Sequence, residues 1–173
     1  KKVVNKGKGS ALMKEPAKLQ ELLSILVNST AKPVTVKIRT GWDAENVNCR
    51  DVALRAQDAG VKAIFIHGRT RNQHYSGAVD HDAIYSVKKA MTIPVIASGD
   101  IFNPSMAKQM IDRTGCDGVL VARGSYGNPW IFSDIDRYIK DGTIPNPPDA
   151  ITVSEVMLEH FNNTISFFGE NIG

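Results

Sequence analysis

Four short apolar runs rich in β-branched residues recur along the chain, within residues 34–40, 63–67, 93–100 and 115–124, and each is followed by a segment of helical periodicity. Leu19, Leu22, Leu23 and Leu26 place a core-facing helix over 16–28, with Pro16 suited to its first turn. Asn46 or Asn48 can cap a second helix in which Val52, Leu54 and Ala59 pack inward before Gly60 ends it. A third helix spans roughly 82–90, and a fourth, amphipathic one lies within 101–114. Asn128 and Pro129 open a fifth, containing Trp130, Ile131, Phe132, Ile135 and Ile139. A last helix over 151–168 aligns Val156, Met157, His160, Phe161 and Ile165 in one stripe.

Taking Val34, Ala63, Pro94 and Gly118 as strand starts, the separations are 29, 31 and 24 residues. Such a βα repeat predicts a parallel sheet with right-handed crossovers. An open doubly wound sheet and part of a (β/α)8 barrel, the TIM barrel, both satisfy it. No G-x-G-x-x-G follows the first strand, whereas polar residues recur where strands end: Lys37 and Arg39, His67, Asp100, Arg123. This favours the barrel, whose catalytic face is built from those ends. Four units are half of such a barrel, so the other strands are expected ahead of Lys1, and the chain is expected to be a fragment. The Pro-rich stretch 141–149 marks a boundary. The fold expected is therefore α/β: the second half of a TIM barrel with a basic N-terminal arm over 1–142, then the start of an α-helical domain over 143–173.

Composition narrows the partners little. With 21 basic against 18 acidic residues the net charge is +3, too small to imply nucleic acid by itself, but Lys1, Lys2, Lys6, Lys8, Lys14 and Lys18 face only Glu15 within the first 18 residues. Such an arm is either a solvated terminus or a polyanion contact. Cys49 and Cys116 have no C-x-x-C spacing, which points away from a disulfide framework or zinc site and towards a reducing cytoplasm. No apolar run reaches the ~20 residues that span a bilayer.

The strand ends carry the candidate chemistry. In 34–40 a period of two sends Val36 and Ile38 to one face and Thr35, Lys37 and Arg39 to the other. Two cations cannot be buried unpaired, so they point into a polar barrel mouth holding an anion, or past the sheet end into solvent. His67 ends the second strand, aligned with Lys37 where the strands are in register, and opens a long polar loop over 68–77. It is either a hydrogen-bonded structural residue or a functional one. Ser98-Gly99-Asp100 and Ala122-Arg123-Gly124 would emerge side by side, where small residues admit backbone N–H groups and Arg123 offers a bidentate fork to a phosphate. A structural Asp100–Arg123 pair is the alternative. No Ser-His-Asp set, H-E-x-x-H or metal-ligand cluster is visible.

Five stretches together resemble the tRNA-dihydrouridine synthases, in particular their bacterial B-type branch. They are Lys1-Lys-Val-Val-Asn-Lys-Gly-Lys-Gly-Ser-Ala-Leu12, Pro33-Val-Thr-Val-Lys-Ile-Arg-Thr-Gly-Trp42, Ile66-His-Gly-Arg-Thr70, Pro94-Val-Ile-Ala-Ser-Gly-Asp-Ile101 and Asn128-Pro-Trp-Ile-Phe132. The resemblance implies an FMN-dependent reduction of the C5=C6 bond of a uridine in tRNA, with NADPH reducing the flavin and a cysteine protonating C5. It places Lys37 by the flavin ring, Arg39 towards the uracil and His67 on the flavin or its phosphate side. Ser98, Gly99, Asp100, Ala122, Arg123 and Gly124 would hold the ribityl phosphate; the family more often has Asn where Ser98 stands. Lys1, Lys2, Lys6, Lys8 and Arg69 would lie on the RNA side. The family's cysteine lies in an Asn-x-Gly-Cys-Pro strand end, expected before Lys1, and neither Cys49 nor Cys116 has that context. No metal is expected, since no cluster of metal-ligand spacing is present in the sequence. The full-length protein is expected to be a monomer, a half-barrel to self-associate through its open edges. Another FMN barrel acting on a small molecule, or a non-catalytic half-barrel, are the competing readings.

Overall fold

The computed structural model of the chain describes residues 7–169. Four strands, β1 (Thr35–Arg39), β2 (Ala63–His67), β3 (Val95–Ser98) and β4 (Gly118–Leu120), alternate with helices α1 (Pro16–Asn28), α2 (Cys49–Asp58), α3 (His81–Ala90), α4 (Pro104–Thr114) and α5 (Ile131–Asp141); α6 (Ala150–Phe168) follows. Local chemistry sets most of these bounds. Asn103 accepts from the Met106 amide at 2.9 Å with Pro104 behind it, and Gly115 at φ 66° closes the other end of α4. Asp80 and Asp149 cap α3 and α6 in the same way. Asn48 does occupy the cap position of α2, yet its side chain makes no cap: its amide nitrogen donates to the Met13 carbonyl at 2.7 Å. Helix α5 begins at Ile131 rather than at Asn128, because 128–130 form a turn.

All strands are parallel and lie in the order β1-β2-β3-β4. Over these four strands the order never reverses, and right-handed crossovers in one direction put every connecting helix on the same face. Accordingly α1 packs on α2, α2 on α3, α3 on α4 and α4 on α5. The face beneath these helices is the core, where Ile38, Ile64, Ile66, Val95 and Ala97 meet Val52, Ala56, Ile84, Val87 and Met110. The opposite face carries Lys37, Phe65, Ile96 and Leu120, none of them fully buried, and closes only at its C-terminal end over His67 and Ser98.

Register corrects one expectation. Arg39 pairs with His67, and Lys37 with Phe65, so His67 lies two residues beyond Lys37 on the same face. The chain forms two compact units, 1–142 and 143–173. In the second, α6 leaves Ile151, Met157, Leu158, Phe161, Phe167 and Phe168 exposed. No helix among the described residues is long and apolar enough to cross a membrane.

Candidate functional site

A cleft of about 200 Å³ opens where the four strands end, lined by Lys37, Arg39, His67, Tyr75, Ser98, Gly99, Asp100, Ile101, Phe102, Leu120, Ala122, Arg123 and Gly124. The eight residues expected to hold a cofactor therefore all line it, with Arg39. Two backbone features shape the wall. The chain leaving β3 passes through Gly99 at φ 132° and Asp100 at φ 51°, a left-handed conformation that non-glycine residues seldom adopt. At Gly124 a Cβ would stand 2.0 Å from the Ile101 carbonyl oxygen, so only glycine lets the segment after β4 lie against the one after β3.

Asp100 is the hub of the charged groups. It accepts a bidentate fork from Arg69, with Nη1 at 2.9 Å from Oδ1 and Nη2 on Oδ2, and Nη2 of Arg123 reaches the same Oδ1 at 2.9 Å. The hydrogen bonds from Arg69, supported by the charges of Arg69 and Arg123, hold its carboxyl below the usual carboxylate range. Arg69 was expected on the RNA side, and its position differs. It is 2% exposed, with Nε donating to the carbonyls of Ser76 and Gly77 and Nη2 also to Gly77. All three guanidinium nitrogens donate within the protein. Arg69 instead ties the loop after β2 to the turn after β3.

Arg123 is partly open to solvent and stacks over Tyr75, its Cζ 4.4 Å from the ring centroid. Tyr75 also leans against His67, the ring centroids 6.4 Å apart. Sequence reasoning missed Tyr75 and Phe102. The signal available for Tyr75 was an aromatic residue in a long polar loop, but its place depends on how Arg69 folds that loop back.

On the β1 side the cleft is cationic. Arg39 donates through Nη1 to the carbonyls of Thr70 at 2.8 Å and His74 at 3.0 Å, which fixes its head beside the mouth. Partial burial, then the charge of Arg39, lowers the Lys37 pKa. His67 is 8% exposed, and burial, reinforced by Arg39, Lys37 and Arg69, pushes its pKa down to about 4. At neutral pH the cleft thus holds an uncharged imidazole between cations.

Of the lysine arm, Lys8 is exposed at the head of a short 3-10 turn, Gly9–Lys14, while Lys1, Lys2 and Lys6 lie outside the described residues. Cys49 and Cys116 are both buried and neither lines the cleft; burial raises the Cys49 thiol to about 11.

The model of the dihydrouridine synthase (Dus) family matches residues 1–173. Over 173 residues the chain is 43% identical to the tRNA-dihydrouridine synthase B of Vibrio parahaemolyticus and 42% identical to that of Pseudomonas putida, covering all of this chain and 54% and 51% of theirs. It is 43% identical to a probable tRNA-dihydrouridine synthase of Rickettsia conorii, of which it covers 52%. A solved mandelate oxidase mutant shares 15% identity at a TM-score of 0.39, over 61% of this chain and 43% of that one, too slight a likeness to carry an argument. The chain spans about half the length of the curated relatives it matches. On the match to its whole length, the chain belongs to the dihydrouridine synthase family.

Proposed function

We propose that this chain is the C-terminal half of an FMN-binding (β/α)8 barrel whose complete enzyme reduces a uridine in tRNA to dihydrouridine at the expense of NADPH, with residues 143–173 beginning a helical tRNA-binding domain. The observation that carries this reading is the cleft: a cationic side, a neutral buried imidazole and an arginine-bearing pair of strand ends converge on one mouth. The single-faced helical layer and the coverage of about half of each relative support the half-barrel.

The donor set suits FMN, which is a flat amphipathic ring with an anionic tail. The segments 98–100 and 122–124, with the open side of Arg123, suit the phosphate; the net charge of Arg69, Asp100 and Arg123 together is +1. Tyr75, Ile101 and Leu120 offer apolar walls. When bound and reduced, FMN supplies the hydride for the uracil C5=C6 bond. Lys37 would stabilise negative charge beside the ring. Arg39, fixed by two loop carbonyls, orients the uracil. His67, uncharged, offers a hydrogen bond without adding a charge. Proton delivery to C5 falls to neither Cys49 nor Cys116, since both are buried away from the cleft; it is assigned to a cysteine of the complete enzyme. NADPH belongs to the soluble cytoplasmic pool, where tRNA is also found.

The test is spectroscopic. The complete protein should purify yellow, bleach with NADPH and regain its colour on adding unmodified tRNA with formation of dihydrouridine. A colourless protein that takes up no FMN, or one that reduces a small molecule and ignores tRNA, overturns the reading.

A further inference from the structure

Outside the cleft, three loops meet at Trp42. Lys14, at the end of the 3-10 turn before α1, places Nζ 3.6 Å from the Trp42 ring centroid, and Arg71, from the loop after β2, places its Cζ 4.8 Å from it. The seat is rigid. The Arg71 amide donates to the Gly41 carbonyl at 2.8 Å and the Asn72 amide to the Trp42 carbonyl at 2.9 Å. A Cβ on Gly41 would stand 2.0 Å from the Asn46 carbonyl oxygen, so the loop after β1 is closed as tightly as its backbone allows.

Lys14 and Arg71 continue a series. With Lys37 and Arg39 they make four cations along the end of β1 and its neighbouring loops, and among the described residues none of the four has a carboxylate within ion-pair distance. Asp43, next to Trp42, is turned back on its own loop, where its Oδ1 accepts from the Asn46 amide at 3.0 Å and side-chain nitrogen at 2.6 Å. Unpaired like charges held this close repel one another; burial first lowers the Arg39 pKa, and the charges of Arg69 and Arg71 lower it further. A stationary row of this kind is relieved by an anion with repeated charges. The aromatic seat keeps two of the cations directional without neutralising them.

We infer that Lys14 and Arg71, seated on Trp42, bind consecutive phosphates of the RNA strand whose base enters the cleft, so that the row from Lys37 outward is the track of the strand. The inference rests on the tRNA reading of the cleft. Phosphate contacts position a strand without reading it. The track adds an anchor inside the folded unit to the lysine arm.

The experiment measures binding of the complete protein to unmodified tRNA as a function of salt. Each lost phosphate contact should lower the slope of log affinity against log salt by roughly 0.7 to 0.9. The pair Lys14→Gln with Arg71→Gln should therefore flatten it by about 1.4 to 1.8 units, while Lys14→Arg with Arg71→Lys keeps the charges and the slope. Lys108→Gln, on α4, removes one positive charge elsewhere and should change nothing. FMN uptake, read by absorbance, should stay at wild-type level in all variants and reports that they are folded. A slope unchanged in the Gln pair, with wild-type protein binding tRNA, overturns this inference alone. Absence of tRNA binding by the wild type overturns the substrate reading and this inference with it.

Discussion

Arg69 stands in a stretch of polar residues, where a guanidinium ordinarily faces water, and it is nonetheless among the most buried side chains. Gly68 makes this possible: a Cβ there would lie 2.4 Å from Val79 Cγ1, so only glycine lets the strand end turn sharply under the loop. Once buried, the guanidinium must have its charge answered, and Asp100 answers it. Removing that carboxylate by Asp100→Asn should leave Arg69 underpaired and lower the unfolding free energy by about 2–3 kcal/mol, measured by denaturant titration at pH 7. An unchanged midpoint would show that the loop carbonyls suffice. The two titrating groups of the site act in separate windows. His67 has its pKa depressed from 6.5 to about 4, so the stability it confers is complete above pH 6.5 and is lost as pH falls towards 4. The slope there should be about 1.4 kcal/mol per pH unit, and His67→Gln should flatten it. The depressed carboxyl of Asp100 adds a further loss only below its ordinary value of 3.8. Of these residues, Lys37, Arg39, His67, Asp100 and Arg123 could be read from sequence because a strand end is a local pattern. Burial of Arg69 and placement of Tyr75 could not, since both depend on a loop closing over itself.

Among elements, the strands and the first four helices follow from periodicity and caps, and the departures share one cause. Asn48 sits where a cap belongs but spends its amide on Met13, and the 128–130 segment turns before α5 starts. In both, a partner distant in sequence or a local turn outcompetes the helical pattern, which no window of neighbouring residues records. Strand register differs by two residues for the same reason: alternation fixes which face Lys37 and His67 share, not how far each strand advances. Glycines separate the two ends of β4. Gly124→Ala should displace the segment after β4 from Ile101 and abolish FMN binding with a lowered melting temperature, whereas Gly118→Ala, with nothing within 4 Å of the new Cβ, should melt like the wild type. Equal effects at the two positions would remove the close-approach argument.

For the molecule as a whole, the sheet has two paired strands inside and two edges. Amides of β2 and β3 should exchange hydrogen most slowly, and those of β1 and β4 that point away from the sheet much sooner. The 173-residue chain by itself should associate as its concentration rises, through those edges and the face bearing Phe65, Ile96 and Leu120; sedimentation that stays monomeric throughout would contradict this. The unbroken strand order has one more consequence, in time rather than space. Within this sheet β2, β3 and β4 each pair with the strand translated just before them, so none of these three pairings waits for a later strand. A nascent chain leaving the ribosome can add its βα units one after another, and arrest at successive lengths should reveal protection growing strand by strand from the N-terminal side.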